Sequence, residues 1–167
     1  TNEAAAEGIT IDFSSGDASD EVVTAGAREA DFPATSSAVT AVGGTDLRIN
    51  KHGQRTLETY WGTQKVPELN GKWAFSKQSY SGGAGGGVST QYAEPSWQRG
   101  IVPTSEATYG GIQPGRVEPD VSMDADTTSG FLIGLTEAYA DGSVAYGEYR
   151  IGGTSVSCPL FSALVAL

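Results

Sequence analysis

The sequence predicts an α/β fold in which short strands form an open sheet that helices cover. Three observations support this prediction: β-rich runs at 9–13 and 38–45, helix-forming residues at 3–7, and an apolar helical pattern at 156–167. With 167 residues the chain is long enough for one domain with a core, and too short for two. A helix as short as 3–7 is marginal by itself, so we expect the sequence to be one part of a cut sheet.

The remaining elements follow from local composition. In chain order we expect a helix at 3–7 ending at Gly8, strands at 9–13 and 38–45, a hairpin at 47–60 turning at 50–53, an irregular strand at 117–122, and strands at 130–135 and 145–151. The glycine-rich run 81–87 predicts a flexible loop. It lacks the GK[ST] pattern of a phosphate-binding loop.

Charge and hydropathy argue against several kinds of partner. Twenty acidic residues against ten basic ones give a net charge of -10 and a pI near 4.4, so we expect no nucleic acid and no membrane partner. No apolar run approaches the roughly 20 residues that cross a bilayer, and the first residues do not resemble an export signal. The single cysteine, Cys158, cannot form an internal disulfide; we expect it to pack, with a reactive thiol as the alternative.

Ser155 is the strongest candidate for chemistry because it lies where a strand turns into an apolar helix. Gly152 and Gly153 allow a tight turn before it. The unpaired N–H groups and the positive dipole end of such a helix can receive an oxyanion. Ser155 would equally fit a helix N-cap. The buried face of the helix is expected from apolar residues, which are Leu160, Phe161, Leu164, Val165 and Leu167.

A serine nucleophile needs a base, and the sequence offers several candidates of unequal merit. His52 is the only histidine, but it lies in the predicted hairpin turn and is expected to face solvent. A carboxylate base would suit work in acid, where histidine is protonated. Asp17 follows a strand end, where open α/β sheets place functional groups, although an Asx turn or a cap of 18–21 is the alternative. Asp124 and Asp126 could bind a cation or hydrogen-bond their loop.

Six sequence motifs resemble, in order, those of the sedolisins, the serine-carboxyl peptidases that are related to subtilisin and act in acid. The resemblance covers nearly the whole chain. The motifs are Ser15-Gly16-Asp17, 32–36, 39–45, 87–89 with 95–98, 119–122 with 124–126, and 153–159.

The resemblance implies a role for three residues. Ser155 matches the nucleophile of the family's GTSxSxP motif, and Asp17 matches the SGD aspartate that stabilises the oxyanion. Asp31, just before Phe32-Pro33-Ala34, falls at a variable position that can face substrate, with a surface carboxylate as the alternative. The implied fold is a subtilisin-like parallel sheet with flanking helices, present as a partial domain.

The resemblance also implies that residues 1–167 are one part of a peptidase domain. The family's catalytic base and its partner, a Glu and an Asp in an ExxxD pattern on a helix, precede the SGD loop and are expected upstream of this chain. The family's calcium site is expected downstream. The implied partners are an N-terminal fragment of the same domain, a peptide or protein substrate and a removed propeptide, and the implied location is extracellular. The chain alone is then expected to be inactive.

The function implied is that of a serine-carboxyl endopeptidase or tripeptidyl-peptidase, acting at acidic pH through an acyl-enzyme on Ser155. A non-catalytic binding or inhibitory protein that keeps the fold is the alternative, because no base is evident. Ordinary subtilisin-type catalysis fits less well, since Asp17 replaces the expected amide donor and His52 is not suitably placed.

Overall fold

A computed structural model describes residues 1–77, 79–110 and 113–167. The strands are β1 Asp12–Ser14, β2 Thr40–Ile49, β3 Arg55–Tyr60, β4 Gly62–Lys65, β5 Glu68–Leu69, β6 Lys72–Trp73, β7 Ser79–Gly83, β8 Gly87–Ala93, β9 Gly115–Glu118, β10 Val121–Asp124, β11 Phe131–Ala138 and β12 Val144–Ile151. The helices are α1 Asn2–Ala6, α2 Val22–Ala25, α3 Thr104–Ala107 and α4 Thr154–Val165, with a 3₁₀ turn at Phe75–Lys77.

The central sheet is built on β2, which pairs in parallel with β1 on one side and β10 on the other. The buried stretch of β2 is rich in small residues, and Ala41 and Val42 have no exposed surface. The second half of β2 forms an antiparallel hairpin with β3, so the sheet is mixed. The predicted α/β fold with parallel strands is confirmed, and the antiparallel β3 is an addition to it.

The remaining strands form two-stranded pairs outside this sheet. The pairs are β4–β7, β5–β6, β8–β9 and β11–β12, all antiparallel. The predicted strands at 130–135 and 145–151 are therefore the two arms of one hairpin. The predicted irregular strand at 117–122 is divided between β9 and β10, which belong to different sheets, and Pro119 lies between them.

Helix α4 packs against β1, β2 and β10. Ser157 is fully buried, and its Oγ donates a hydrogen bond to the carbonyl of Gly43 at 2.8 Å. The predicted buried face is partly wrong: Leu160 and Phe161 are half-buried, whereas Leu164, Val165 and Leu167 are exposed. The hydrogen bonds to the sheet come from small polar side chains, Ser157 near the start of the helix and Ser162, whose Oγ donates to Asp12 Oδ2 on β1 at 2.7 Å, and the residues after Ser162 are exposed. Within the described residues, no helix is long and apolar enough to cross a membrane.

The glycine-rich run holds a defined position against the loop after β1, instead of forming the flexible loop that its composition predicts. Gly85 N donates to the carbonyl of Gly16 at 2.7 Å, and Ser15 Oγ donates to the carbonyl of Gly85 at 2.8 Å. A Cβ on Gly85 would overlap the carbonyl oxygen of Ser15. Glycine is needed here because the two backbones are in direct contact.

Arg116 on β9 is the largest side chain without exposed surface. Its guanidinium contacts Asp120 at 2.6 Å and donates to the carbonyls of Ser36 and Val117. Weaker contacts reach the carbonyls of Ala34 and Val39. Asp120 also accepts the amide of Ala41 on β2 at 2.8 Å. This cluster joins the 34–39 loop, the β9–β10 segment and the central strand.

Glu118 is buried on the same side of β9 as Arg116, because side chains two residues apart on a strand share a face. It is 3% exposed, and neither carboxyl oxygen has a hydrogen-bond partner among the described residues. Burial raises its pKa from 4.5 to about 8; Arg116 and the backbone N–H of Asp31 oppose this shift, and the charge on the Asp31 carboxyl adds to it. The Glu118 carboxyl is therefore neutral in acid.

We expect Arg116→Met to destabilise the intact protein by about 3–5 kcal/mol, because it removes the cation from a largely shielded Asp120 carboxylate and leaves the carbonyls of Ser36 and Val117 without their donor. The measurement is urea unfolding at constant pH. Arg55→Met is the matched control, since Arg55 forms an exposed ion pair with Glu58 and should change stability by less than about 1 kcal/mol. Equal effects of the two variants would contradict a structural role for the buried cluster.

We expect the stability of the intact protein to fall as pH rises from 4.5 to 8, with Glu118 contributing about 1.4 kcal/mol per pH unit. In this range the folded state keeps the Glu118 proton and the unfolded state has lost it, so raising the pH favours unfolding. Glu118→Gln should remove this contribution and flatten the profile, whereas the exposed Glu106→Gln should not. Urea unfolding at several pH values measures the slope. A slope that is the same in Glu118→Gln as in the wild type would rule out a buried neutral carboxyl at this position.

Candidate active site

Ser155 is the second residue of α4, and its side chain is exposed. Gly153, with φ 97°, occupies the N-cap position. The N-cap interpretation of Ser155 is therefore wrong. No described residue hydrogen-bonds to Ser155 Oγ, so this hydroxyl is available to form a contact with another group.

Asp17 lies at the start of α4, although 137 residues separate it from Thr154 in the chain. Its Oδ1 accepts the backbone N–H of Thr154 at 2.8 Å and lies 2.8 Å from Thr154 Oγ1. Thr154 Oγ1 is also 3.0 Å from the carbonyl of Gly16. Asp17 therefore caps α4 from a distant loop, and no side-chain bond from it to residues 18–21 occurs in the described structure. The Asp17 carboxyl therefore binds the residue that directly precedes Ser155.

The first turn of α4 offers a place for an anion. The backbone N–H of Ser155 donates to no described residue, as expected for an early helix position. Asp17 Oδ2 lies 2.8 Å from the position that a Cβ on Gly153 would take, so only glycine leaves room for it. An unpaired N–H, a nearby carboxyl and the helix dipole thus converge beside the Ser155 hydroxyl.

Asp31 lies behind the loop that carries Asp17. A Cβ on Gly16 would overlap Asp31 Oδ2, so the Asp31 carboxyl is in direct contact with the loop backbone. Partial burial raises the pKa of Asp31, and the charges of Glu21, Asp17 and Glu29 raise it further. Asp31 is half-buried, and the surface-carboxylate alternative stays open. Whether it faces substrate stays a prediction.

A cleft of about 640 Å³ opens beside the segment that follows Asp17. Its walls include Asp20, Arg28, Val88 and Tyr109. Arg28 pairs with Asp20 at 3.3 Å and lies 5.0 Å from the centre of the Tyr109 ring. The size falls in the range of about 300–1,000 Å³ that is usual for ligand pockets.

Other residues singled out in the sequence lie in structural roles. His52 is exposed in the β2–β3 turn, as predicted. Asp124 Oδ1 accepts bonds from Leu47 N and Ser129 Oγ, and Asp126 Oδ1 accepts one from Thr128 N.

Cys158 is half-buried in α4, where burial and the charge of Asp12 raise the pKa of its thiol. A raised pKa disfavours the reactive thiolate.

Sequence reasoning missed two residues near the site. Thr154 lies within the matched motif, but its bonds to the distant Asp17 and Gly16 have no local signal. Glu118 precedes Pro119 in a β-rich run, and a charged residue beside a proline is the kind expected at an exposed strand end. Only the tertiary structure reveals that its carboxyl is buried next to Asp31.

Comparison with known proteins reveals relatives with sequence and fold similarity. No protein-family model matches the chain. It is 38% identical over 166 residues to kumamolisin from Bacillus sp. (strain MN-32), which covers 98% of this chain and 25% of that protein. Identity to sedolisin from Pseudomonas sp. (strain 101) is 35% over 173 residues, covering 98% and 24%. Xanthomonalisin from Xanthomonas sp. (strain T-22) is 33% identical over 136 residues, which is 77% of this chain and 13% of the relative.

The structural comparison agrees with the sequence comparison. Pseudomonas sedolisin, a serine-carboxyl proteinase solved with two molecules of pseudo-iodotyrostatin, superposes with a TM-score of 0.63 at 32% identity. The match covers 96% of this chain and 38% of the sedolisin chain. The chain thus spans about a quarter of the length of the first two curated relatives, with the fold of the corresponding part. By sequence and by fold, it belongs to the sedolisin family.

Proposed function

We propose that this chain carries the nucleophile and the oxyanion site of a serine-carboxyl peptidase that cleaves peptide bonds in acid. The observation that carries the proposal is the position of Asp17, whose carboxyl is held at the start of α4 by the amide of Thr154. The next residue, Ser155, has an exposed hydroxyl and an unpaired backbone N–H among the described groups. The relatedness to serine-carboxyl peptidases supports the same assignment.

In the proposed reaction, Ser155 Oγ attacks the carbonyl carbon of the scissile peptide bond and passes its proton to a carboxylate base. The resulting oxyanion is stabilised by the Ser155 N–H and by the protonated Asp17. Collapse of this intermediate breaks the C–N bond, and the amine leaves with a proton from the base. Water then hydrolyses the acyl-enzyme. Asp17 can donate a hydrogen bond only when protonated, which accounts for the proposed activity in acid.

The proposed base is a Glu/Asp pair on polypeptide outside these 167 residues. This is supported by Ser155 Oγ, which has no hydrogen-bond partner among residues 1–77, 79–110 and 113–167. An N-terminal fragment of the same domain would supply the pair, and the chain alone would be inactive. The same free hydroxyl favours one alternative, a non-catalytic binding or inhibitory protein that retains the fold.

Calcium and location remain proposals by family analogy. No group of three or more His, Cys, Asp or Glu side chains that could hold a metal ion occurs in the described part of the chain. We therefore assign no calcium ligand to these residues and no step to the metal. Extracellular action, with a propeptide removed beforehand, is proposed from the relatedness to the bacterial peptidases.

We expect Ser155→Ala to lower kcat by about 10⁴-fold or more in the full-length protein assayed on peptides at acidic pH. The exposed position predicts a change in stability of less than about 0.5 kcal/mol. Ser105→Ala, at an exposed serine of α3, is the control and should retain full activity. Intact mass spectrometry during turnover of a peptide ester should reveal the acyl adduct in the wild type only. Unchanged activity in Ser155→Ala would favour the binding alternative.

We expect Asp17→Ala to lower kcat/KM by about 10²–10³-fold, because it removes an oxyanion donor. Asp17→Asn should lose less, since its amide can still donate to the oxyanion while its oxygen accepts the Thr154 N–H. Steady-state kinetics at acidic pH compares the two variants. Equal rates for Asp17→Ala and Asp17→Asn would refute hydrogen-bond donation by this residue.

A further inference from the structure

The Asp17 carboxyl is held through one of its two oxygens. Thr154 N donates to Asp17 Oδ1 at 2.8 Å, and Thr154 Oγ1 lies 2.8 Å from the same oxygen. No described residue hydrogen-bonds to Oδ2, which lies beside Gly153, 2.8 Å from the position that a Cβ there would take. Asp17 is exposed, so Oδ2 is the oxygen that another molecule can reach.

Thr154 is a rigid anchor for this carboxyl. It is 1% exposed, and the Oγ of the fully buried Ser157 lies 3.0 Å from its carbonyl. The preceding amide, Gly153 N, donates to the carbonyl of Ala125 at 2.6 Å. Both donors of Thr154 therefore keep their direction. The exposed Asp17 carboxyl has no such support of its own, because the terminal torsion of aspartate is broad and roughly two-fold, so that its two oxygens can exchange places.

The hydrogens of Thr154 determine which Asp17 oxygen can carry a proton. The Thr154 hydroxyl has one hydrogen, and its neighbours are Asp17 Oδ1 at 2.8 Å and the Gly16 carbonyl at 3.0 Å. The Gly16 carbonyl already accepts Gly85 N at 2.7 Å, so the hydroxyl donates to the nearer Oδ1. In a neutral carboxyl, the oxygen that accepts two hydrogen bonds is the C=O oxygen, since the O–H oxygen carries the donor.

We propose that Thr154 is a positioning residue for the oxyanion site: its N–H and its hydroxyl hold Asp17 Oδ1 as the acceptor, so that the proton of neutral Asp17 is on Oδ2 and is directed at the oxyanion. The inference rests on the proposed oxyanion role of Asp17, and Thr154 itself does not touch the reacting atoms. Without the hydroxyl the carboxyl turns more readily, and its proton is directed at the oxyanion less often. Because the oxyanion forms only during the reaction, the loss falls on kcat and not on KM.

The first test is the steady-state kinetics of Thr154→Val in the full-length protein, assayed on a peptide at one acidic pH. Valine keeps the shape and the backbone N–H and removes only the hydroxyl. We expect kcat to fall about tenfold while KM stays within about twofold of the wild type, and Thr154→Ser to restore about half of the lost rate or more. Thr56→Val is the control, since Thr56 is an exposed threonine whose Oγ1 donates to the Arg48 carbonyl, and it should retain full activity. A wild-type kcat in Thr154→Val, or a loss that Thr154→Ser does not restore, would overturn the proposal.

A double-mutant cycle tests whether Thr154 acts through Asp17. In Asp17→Asn the side-chain oxygen accepts both Thr154 donors and the NH₂ group faces the oxyanion, so adding Thr154→Val should again lower kcat about tenfold. In Asp17→Ala no group remains to be positioned, so adding Thr154→Val should cause no further loss. Equal further losses in the two backgrounds would assign Thr154 a general structural role and contradict positioning.

Urea unfolding of the same variants at the same pH requires no turnover. Thr154→Val should lower the urea midpoint more in the wild type than in Asp17→Ala, because only the wild type has the carboxyl partner. Equal shifts would show that the hydroxyl does not bind Asp17, and the proposal would fail. If cleavage requires Ser155 but Thr154→Val is fully active, the positioning role fails and the peptidase function stands. If the wild type cleaves no peptide, the peptidase function fails, and the unfolding cycle alone decides whether Thr154 holds Asp17.

Discussion

The ion pair between Arg116 and Asp120 organises the part of the fold that carries the candidate site. A guanidinium without exposed surface must find partners for its donors, and here they come from two separate segments, the 34–39 loop and residues 117–120. Asp120 completes the arrangement by accepting the amide of Ala41 from the central strand. The 34–39 loop, the β9–β10 segment and β2 therefore have fixed relative positions, although no apolar side chain larger than valine is fully buried among the residues that the structure describes.

The position of Asp17 is a consequence of this framework. β1 runs parallel to β2 and ends at Ser14, and the SGD loop leaves the sheet at that edge. The Gly85 backbone lies on one side of this loop and Asp31, just before the organised 34–39 segment, on the other. Helix α4, which packs on the same three parallel strands, brings Thr154 to Asp17. Small residues make these approaches possible, because a side chain at Gly16, Gly85 or Gly153 would collide with its neighbours.

Local patterns were enough to predict much of this structure. The strand within 38–45, the hairpin that turns near His52 and the helix that begins beside Ser155 all follow from composition over a few residues. What could not be predicted depends on contacts between distant segments. The exposed end of α4 and the burial of Glu118 are decided by which elements lie nearby, and the close packing at Gly85 depends on a loop about 70 residues earlier in the chain. The roles of Ser155, Asp17 and Asp31 stay predictions.

The distance along the chain between Asp17 and Thr154 affects the order in which the protein can assemble. These residues are 137 positions apart, and the β10 strand that must pair with β2 lies about 79 residues after it. Contacts between such remote segments form slowly, because the loop-closure entropy is lost before they become favourable. The carboxyl group at the start of α4 is therefore one of the last features to be completed. A nascent or partly folded chain therefore contains Ser155 before the Asp17 carboxyl is held next to it.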